Sequence, residues 1–582
     1  MVRCTLYYEI CDGGYRNMEN TCSRERVKGF LRTQGTWMVN GDGEKIILRG
    51  YGIGSWTNPE GFMVGGTRGF PGEYNRPQLL DRARSMDWLI QELCGSEYAK
   101  NFWPKWYRNF FNESDIKALA ELGYNSVRLV LNGAAFLKEE PGINFVEDTF
   151  SMLDQVLDWC EQYGLYAILD LHAAPGGQSC GGCDNGVDNV PHLLLDEENW
   201  ERTIVLWEEF ARRYKDRWIV GGYDLLNEPL NNESWFYLKE ELKSFYDELI
   251  SRIRAIDTVH MLTVEGCMWS TMMDIFDHDY DPQFHNWCIH IHNYGFRSEF
   301  NEMMAALDRS EELQVPIWLG EGGSDKVDHA VFLEGLAKIG VGYALWSWKA
   351  SKPIDGREKG SNFPVLFQLP EGWNQVYAYA DHGGPKPGYA KAQAIFDQLL
   401  ENIRYENCQY NREISAYNLR HPGITIPGAG YDMGYCGEAF SGNWLKGNAF
   451  EFRLSDHTKL VRKPGAPIVN PQGMLRFFKH FNPMDVGGSE AIENLWLELT
   501  QDEFAQYTVR DVKKPCRVSV ELYPLEDSVL NVSAESLSRS VSVAQGEPLW
   551  VDVLELPKGD LWIVRLTVLC GRVQIANVKF HD

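Results

Sequence analysis

The sequence predicts an α/β protein in which a (β/α)8 (TIM) barrel is followed by a C-terminal antiparallel β-sandwich domain. The chain has 582 residues, which is more than one hydrophobic core usually supports, so two domains are expected. Up to about residue 405, short apolar runs alternate with amphipathic helical segments. Beyond residue 425 the apolar residues recur with a period of two. That change of period indicates antiparallel strands after a parallel sheet.

Eight short apolar runs are the predicted strands of the barrel. They lie at 45–54, 125–132, 166–172, 222–228, 260–266, 287–295, 315–323 and 341–349. Runs that are apolar throughout indicate strands buried on both faces, as in a parallel sheet covered by helices. Eight strand and helix units suggest closure into a barrel. An open doubly wound sheet is the alternative, but GYGIGSW after the first run lacks the G-x-G-x-x-G spacing typical of that fold.

The intervening segments have the pattern of helices that cover such a sheet. Residues 148–164 carry apolar side chains at three- and four-residue spacing, and Gly164 is a suitable C-terminal cap. The first connection, from 55 to about 112, is much longer than the others. A connection of that length on the catalytic face of a barrel usually shapes or covers a site, so we expect it to form a wall of the cleft.

The predicted domain boundaries follow the changes of pattern. They are an N-terminal extension at 1–35, the catalytic barrel at 36–405, a linker at 406–424 and the β-sandwich at 425–582.

Composition and charge narrow the classes of partner. The formal net charge of -26 makes nucleic acid an unsuitable partner, because binding it requires clustered Lys and Arg. No apolar run approaches the ~20 residues of a membrane helix, and the first 20 residues show no secretion signal. We therefore expect no membrane contact and a cytoplasmic location, or a secreted protein if the sequence lacks its natural start.

The thirteen cysteines include one C-x-x-C pair, Cys180 and Cys183. A zinc site needs two further ligands at matching spacing, and no second such pair exists in the sequence. With an odd number of cysteines and no signal peptide, we expect mostly reduced thiols, although a local bridge between these two remains open.

Two glutamates stand at predicted strand ends. YDLLNEPL places Asn227 and Glu228 at the end of the fourth run, and VPIWLGEGG places Glu321 at the end of the seventh. Parallel barrels carry their chemistry at these ends. A pair of carboxyl groups suits glycoside hydrolysis, in which one protonates the leaving oxygen while the other attacks the anomeric carbon or activates water. Retention of configuration places the carboxyl groups about 5 to 5.5 Å apart, and inversion about 6.5 to 9.5 Å.

Other polar and aromatic side chains share these ends, and each taken alone is more often structural. Arg128 is by itself an ordinary ion-pair partner, and Asp170 is spaced to orient His172 from the same strand face. Glu265 also ends a predicted strand and competes with the other two glutamates. The remaining side chains at these ends are His292, Tyr294, Trp346 and Trp348.

In order along the chain, VRL, LDLH, LNEP, H-x-Y, GEGG and WSW resemble glycoside hydrolase family 5 over residues 40–400. The resemblance implies that Glu228 is the general acid/base and Glu321 the nucleophile. It implies supporting or substrate-binding roles for seven residues: Arg128, His172, Asn227, His292, Tyr294, Trp346 and Trp348.

The roles implied by this resemblance differ among the residues. Asn227 would hold the substrate 2-hydroxyl, and Trp346 would form the floor of the deepest subsite. Trp348 offers an alternative register for that floor, and at most one of the two is expected to serve. Glu265 ends the fifth run, where the family has no catalytic carboxylate, so we assign it a structural or subsite role.

The loop after the third run points to a substrate class. DLHAAPGGQ followed by DNG is similar to the loop of exo-acting β-1,3-glucanases and β-glucosidases, apart from its cysteine-containing insertion. We therefore expect a retaining enzyme that cleaves β-glucans or β-glucosides and needs neither a metal nor an organic cofactor. A β-mannanase, an endoglucanase or a transglycosylase on the same pair is the alternative, and a catalytically silent carbohydrate-binding protein is an alternative of another class. The sandwich resembles modules appended to glycosidases, which bind carbohydrate or only support the barrel.

Overall fold

A computed structural model describes residues 26–66, 80–294, 303–352, 363–446, 452–453, 456–466 and 492–581. Most of the predicted N-terminal extension and residues 67–79 of the long first connection lie outside these ranges. Eight parallel strands close into a barrel in sequence order, with the eighth strand pairing with the first. The strands are Arg49–Gly52, Ser126–Asn132, Tyr166–Ala173, Val220–Asp224, Met261–Glu265, Trp287–Asn293, Ile317–Gly322 and Gly342–Leu345. The predicted barrel is therefore confirmed.

Helices cover the barrel between these strands. The helix Glu147–Tyr163 buries Phe150, Leu153 and Leu157 against the sheet, and it ends at Gly164, whose φ of 75° is left-handed. Glycine adopts that conformation without steric cost, as its predicted capping role requires. The α-helices in the described part of the barrel are Ala83–Cys94, Ser96–Phe110, Glu113–Leu122, Gly133–Phe136, Glu147–Tyr163, His192–Leu195, Glu197–Tyr214, Lys239–Arg254, Cys267–Ser270, Met304–Leu313, Lys326–Lys338, Trp373–His382 and Tyr389–Asn402. Short 3₁₀ turns lie at Gly61–Met63, Glu233–Leu238 and Tyr405–Asn407.

The two ends of the barrel differ. An N-terminal hairpin of Arg32–Gln34 and Trp37–Val39 lies at the amino ends of the strands. There Met38 packs with Leu48, Tyr166 and Trp318 in one buried cluster. The hairpin therefore closes that end with apolar side chains, and the carboxyl ends of the strands remain for a site.

The described part of the long first connection is folded rather than extended. Its helix Ser96–Phe110 packs on the last barrel helix, Tyr389–Asn402, where the rings of Phe102 and Phe396 meet edge to face at 5.6 Å. The indole of Trp106 donates hydrogen bonds to the carbonyls of Ser55 and Trp56. These contacts hold the start of the connection, residues 55–60, against the carboxyl end of the barrel.

The C-terminal part is a sandwich of two antiparallel sheets, as predicted. One sheet contains Ile424–Pro427, Lys459–Arg462, Leu495–Thr500, Arg572–His581, Cys516–Pro524 and Leu549–Leu556. The other contains Phe440–Ser441, Phe504–Val512, Gly559–Cys570, Ser528–Ala534 and Leu537–Val543. Alternate residues of these strands face inward and form the core of the sandwich.

The junction between barrel and sandwich is packed. The segment predicted as a linker contains the helix Arg412–Leu419, which lies on the barrel helix Lys326–Lys338. Val327, Ala330 and Val331 of that barrel helix belong to the same apolar cluster as the sandwich core. A small sheet of Lys349–Ser351, Val365–Phe367 and Gln409–Tyr410 lies beside the eighth barrel strand. None of the helices in the described part of the chain combines the length and hydropathy that a bilayer crossing requires.

Candidate active site

Glu228 and Glu321 meet at the open end of the barrel. Glu228 lies four residues beyond the fourth strand, and Glu321 lies in the seventh. Each side chain is buried with 4% of its surface exposed. A carboxylate oxygen of one lies within 4.8 Å of a carboxylate oxygen of the other. The structure thus brings together the two glutamates that the sequence singled out.

The surroundings of Glu321 favour its ionised form. Arg128 Nη1 donates to Glu321 Oε1 at 2.6 Å, and the hydroxyl of Tyr294 donates to Oε2 at 2.5 Å. A cation and a hydrogen-bond donor both stabilise a carboxylate over a carboxylic acid. This is the protonation state that a nucleophile needs.

Arg128 is the hub of the buried polar network. Its guanidinium is fully buried and donates to Asp224 Oδ2 at 2.7 Å and to Asn227 Oδ1 at 2.8 Å. It also lies 3.2 Å from Glu265 Oε1 and 3.1 Å from Asp170 Oδ1. Burial alone would lower the pKa of Arg128, but the surrounding carboxylates raise it well above its usual range. A fixed cation therefore orients Glu321 and Asn227 together.

Glu228 lies in a different environment. Burial raises the pKa of its carboxyl to about 7, against smaller opposing effects from His172, Cys183, Arg128 and Asn231. His292 Nδ1 is 2.6 Å from Glu228 Oε1. When two neighbouring carboxyl groups lie in environments that favour different protonation states, one can act as an acid and the other as a nucleophile.

Glu265 has a structural place in this network. Its Oε2 accepts a hydrogen bond at 2.8 Å from the backbone N–H of Glu228, which has a left-handed φ of 43°. Its Oε1 faces Arg128. Both carboxylate oxygens of Glu265 therefore have partners, and this position agrees with the structural role expected from the sequence.

His172 and Trp346 form one wall of the site. Asp170 Oδ2 is 2.8 Å from His172 Nδ1, the orienting contact that the two-residue spacing predicted. The rings of His172 and Trp346 stack with centroids 5.1 Å apart and an interplanar angle of 5°. Asn227 Nδ2 lies 3.4 Å from His172 Nε2. Burial lowers the pKa of His172 to about 4, so this ring is neutral near pH 7.

Trp348 is not part of the site. It is fully buried, its indole N–H donates to Asp115 Oδ1 at 2.8 Å, and its ring stacks on Tyr405. The eighth strand ends at Leu345, so the alternation that would place Trp346 and Trp348 on one face does not continue past it. Of the predicted pair, only Trp346 therefore remains a candidate for the floor of the deepest subsite.

Three residues near the carboxyl groups were not singled out from the sequence. Glu60, in the first connection, has Oε1 3.9 Å from His172 Nε2. His290 Nε2 lies 3.1 Å from His292 Nε2. Asn231 Nδ2 lies 3.4 Å from Glu228 Oε2 and 3.9 Å from Cys183 Sγ. Only His290 had a sequence signal, since it stands two residues before His292 in one strand.

The cysteine loop adjoins the site. Cys180 and Cys183 are both buried free thiols, and burial raises the pKa of each. The carboxylate of Asp184 accepts from the backbone N–H groups of Gln178 and Ser179 at 2.9 and 2.8 Å, which braces the loop. The bridge that the sequence left open between these two cysteines is not formed in this structure.

Two sets of side chains within the described ranges have the atom spacing that a metal ion requires. They are Glu228, His292 and Glu321, and Glu265, His290 and His292, with one nitrogen or oxygen from each residue within 4.8 Å of the others. Each of these side chains already contacts a neighbour in the network. Internal hydrogen bonds therefore satisfy this donor set without a metal.

A closed parallel barrel with two buried glutamates facing each other at its carboxyl end has the architecture of the two-carboxylate glycosidases. More narrowly, residues 90–352 match the model of cellulase, glycosyl hydrolase family 5. That stretch contains all nine residues to which the resemblance assigned a role.

Curated relatives match part of the chain. A β-xylosidase of Phanerodontia chrysosporium is 32% identical over 268 residues, which are 46% of this chain and 52% of that protein. A probable glucan 1,3-β-glucosidase A of Aspergillus fumigatus is 26% identical over 217 residues, 36% of this chain and 48% of that protein. The chain thus spans about half the length of these curated relatives. The crystal structure of an endogalactoceramidase covers 94% of this chain and 99% of its own, with 14% identity and a TM-score of 0.42.

Proposed function

We propose that this protein is a retaining glycoside hydrolase that cleaves β-glucosidic linkages of β-glucans or β-glucosides. The observation that carries the proposal is the pair Glu228 and Glu321, whose oxygens approach within 4.8 Å in contrasting environments. That approach supports the short carboxyl separation of retention, because inversion needs about 6.5 to 9.5 Å to admit a water between the groups.

In the first step Glu321 Oε attacks the anomeric carbon, and the carbon–oxygen bond to the leaving group breaks. Glu228 gives its proton to that leaving oxygen, so the aglycone departs as a neutral alcohol. Arg128 and Tyr294 hold the nucleophile in line through the contacts at 2.6 and 2.5 Å. The product of this step is a covalent glycosyl-enzyme on Glu321.

In the second step the ionised Glu228 removes a proton from water. The resulting oxygen attacks the anomeric carbon, and the bond to Glu321 breaks. Glu228 regains its proton and Glu321 its charge, so the enzyme returns to its starting state. A carboxyl whose pKa is about 7 is suited to both directions of this transfer near neutral pH.

The wall of the site suits a neutral sugar. Asn227, fixed by Arg128 at 2.8 Å, presents its amide beside the carboxyl pair, where the 2-hydroxyl of a bound sugar would lie. The indole of Trp346, stacked on His172, adds an apolar aromatic side chain to this wall. The names of the relatives, a β-xylosidase and a probable glucan 1,3-β-glucosidase, support a β-glycoside as substrate.

The decisive experiment is hydrolysis of a panel of aryl β-glucoside, β-xyloside, β-mannoside and β-cellobioside substrates with laminarin, soluble cellulose and mannan. We expect glucose release from the β-glucoside or laminarin, and its loss in Glu321→Gln. Proton NMR of the first product should show the β-anomer, since retention needs two inversions. The α-anomer would contradict the proposal, and cleavage confined to mannan or cellulose would keep the catalytic pair but change the substrate. An inactive wild type across the panel would favour the carbohydrate-binding alternative.

Glu228→Ala provides the matched test of the acid/base. An aryl glucoside with a good leaving group needs little protonation, so its glycosyl-enzyme should still form and accumulate. Azide should then restore turnover and yield β-glucosyl azide, because an anion needs no general base. Failure of azide to restore any turnover would remove Glu228 from this role.

A further inference from the structure

We propose that His290, which contacts neither reacting carboxyl group, sets the tautomer of His292 and thereby holds Glu228 in its protonated, proton-donating form. The inference rests on the proposed function and deepens it, because it assigns the residue that keeps the acid ready to donate. His290 is therefore a positioning residue that acts through His292.

Four buried side chains form a continuous chain of short contacts. Asp224 Oδ1 lies 2.9 Å from His290 Nδ1, and His290 Nε2 lies 3.1 Å from His292 Nε2. His292 Nδ1 lies 2.6 Å from Glu228 Oε1. This series of contacts begins at Asp224 in the fourth strand and passes through His290 and His292 in the sixth strand. It ends at the carboxyl group of Glu228, which lies beyond the end of the fourth strand.

The first contact fixes the proton of His290. Asp224 accepts from Arg128 Nε at 2.7 Å and from Thr263 Oγ1 at 2.6 Å. The cation of Arg128 and these two donated hydrogen bonds favour an ionised Asp224, which only accepts. His290 Nδ1 must then be the donor. Because burial lowers the pKa of His290, the ring has a single proton and its Nε2 is an acceptor.

The second contact passes that constraint to His292. Since His290 Nε2 accepts, His292 Nε2 must donate. Glu265 Oε2, 3.6 Å away, is another acceptor on the same side. Burial holds the pKa of His292 well below its usual range, so this ring also has one proton and its Nδ1 is bare.

The third contact therefore requires a proton on Glu228. A hydrogen bond of 2.6 Å to a bare Nδ1 is possible only if the carboxylic acid O–H donates. When Glu228 loses its proton, two acceptors face each other at that distance, which disfavours the carboxylate. The histidines keep their own protons throughout, so only Glu228 exchanges a proton with the substrate and water.

The other groups that face this chain do not alter the direction of its hydrogen bonds. Glu265 Oε1 lies 3.1 Å from His290 Nδ1 and is an acceptor like Asp224. Glu321 Oε2 lies 3.6 Å from His292 Nδ1 and has its hydrogen bond from Tyr294. The further titratable and charged groups that face Glu228 or His290 are Arg128, Asp170, His172 and Cys183.

The seventh strand holds the His290 ring in place. A Cβ on Gly320 would lie 1.7 Å from His290 Nε2 and 2.2 Å from its Cε1, so the ring lies directly against this glycine. The ring of Trp318 packs on it with centroids 4.9 Å apart. Close packing against Gly320 and Trp318 keeps Nδ1 of His290 directed toward Asp224 and its Nε2 directed toward His292.

The test is the pH dependence of kcat/KM in His290→Asn. The asparagine amide can donate to Asp224 in place of Nδ1, but it is too short to reach His292. His292 can then move its proton to Nδ1 and donate to ionised Glu228, so the alkaline limb should move down by about one pH unit. His260→Asn is the matched control, since His260 is buried and its Nδ1 is 2.6 Å from Asp257 Oδ2, outside this chain.

A second readout does not depend on turnover. The carboxylic acid band of Glu228 is assigned in infrared difference spectra by its absence in Glu228→Gln, and its midpoint is then titrated in wild type and His290→Asn. A lower midpoint in His290→Asn, with His260→Asn unchanged, supports the inference. An unchanged midpoint, or an equal shift in both variants, overturns it.

The two proposals fail separately. If wild type cleaves nothing in the panel, the proposed function fails while the infrared midpoint still decides the role of His290. If the wild type is active and His290→Asn changes neither the alkaline limb of kcat/KM nor the infrared midpoint of Glu228, only the inference fails. Should His290→Asn not fold, His290→Gln replaces it, because its amide N–H faces His292 where the wild type has a lone pair and should lower the midpoint in the same way.

Discussion

Replacing Tyr294 by phenylalanine removes the hydroxyl that contacts Glu321, the proposed nucleophile, and changes little else. The ring is retained, and the lost contact is the 2.5 Å hydrogen bond to Glu321 Oε2. A hydrogen bond to a charged group contributes about 1.5 to 3 kcal/mol. Because Tyr294 is partly exposed, we use the lower end, which corresponds to about tenfold in rate.

The sign of the effect follows from the charge of Glu321. The hydroxyl donates to the carboxylate, so its loss removes a contact that stabilises the charged form. The proposed mechanism needs the charged form of Glu321 as nucleophile. The maximal kcat/KM should therefore fall by about tenfold.

The assay is initial-rate hydrolysis of an aryl β-glucoside between pH 4 and pH 9. Tyr246→Phe is the control, because Tyr246 is another barrel tyrosine whose hydroxyl donates to the backbone carbonyl of Glu265 and not to Glu321. A maximal kcat/KM that is unchanged in Tyr294→Phe would refute the role of this hydroxyl. A shift of the alkaline limb instead would mean that the residue acts on Glu228.

Three further changes test the network, the wall and the domain junction. Arg128→Met should lower the free energy of unfolding in urea by about 3 to 5 kcal/mol, because it leaves buried carboxylates unpaired, and a loss below 1 kcal/mol would contradict the hub. Trp346→Ala should lower kcat/KM by about two- to tenfold, chiefly through KM, whereas the half-exposed Trp88→Ala should not. Burial raises the pKa of Glu334, but Arg510 at 2.7 Å brings it below its usual range. Its contribution to stability is therefore present at pH 7 and lost below about pH 4. Arg510→Ala should be less stable at pH 7 in thermal unfolding and lose less on acidification, and an unchanged acid dependence would contradict this.

The barrel and its two glutamates were accessible from the sequence because each depends on a local pattern. Runs that are apolar on both faces predict the strands, and Glu228 and Glu321 each stand where such a run ends. The contact between Asp170 and His172 followed from a spacing of two in one strand. Such features need only the geometry of a single strand.

Other features depend on segments of the chain that lie outside the regular barrel strands. Trp348 was placed with Trp346 by alternation, but the strand ends at Leu345 and the alternation ends with it. Glu60 reaches His172 from a long connection whose path no local pattern gives. The helix Arg412–Leu419 has only eight residues, too few for its apolar spacing to separate it from a linker. Each of these needs the tertiary packing around it.

The helix Lys326–Lys338 gives the two domains a common interior. It directly follows the strand of Glu321, and its buried side chains include Val327, Ala330 and Val331, which the sandwich core covers. A chain cut after residue 405 would leave this apolar stripe facing water, next to the strand that holds the nucleophile. The barrel therefore cannot be treated as a module to be excised or exchanged by itself, and any truncation or domain-swap variant must carry the sandwich or a new cover for that helix.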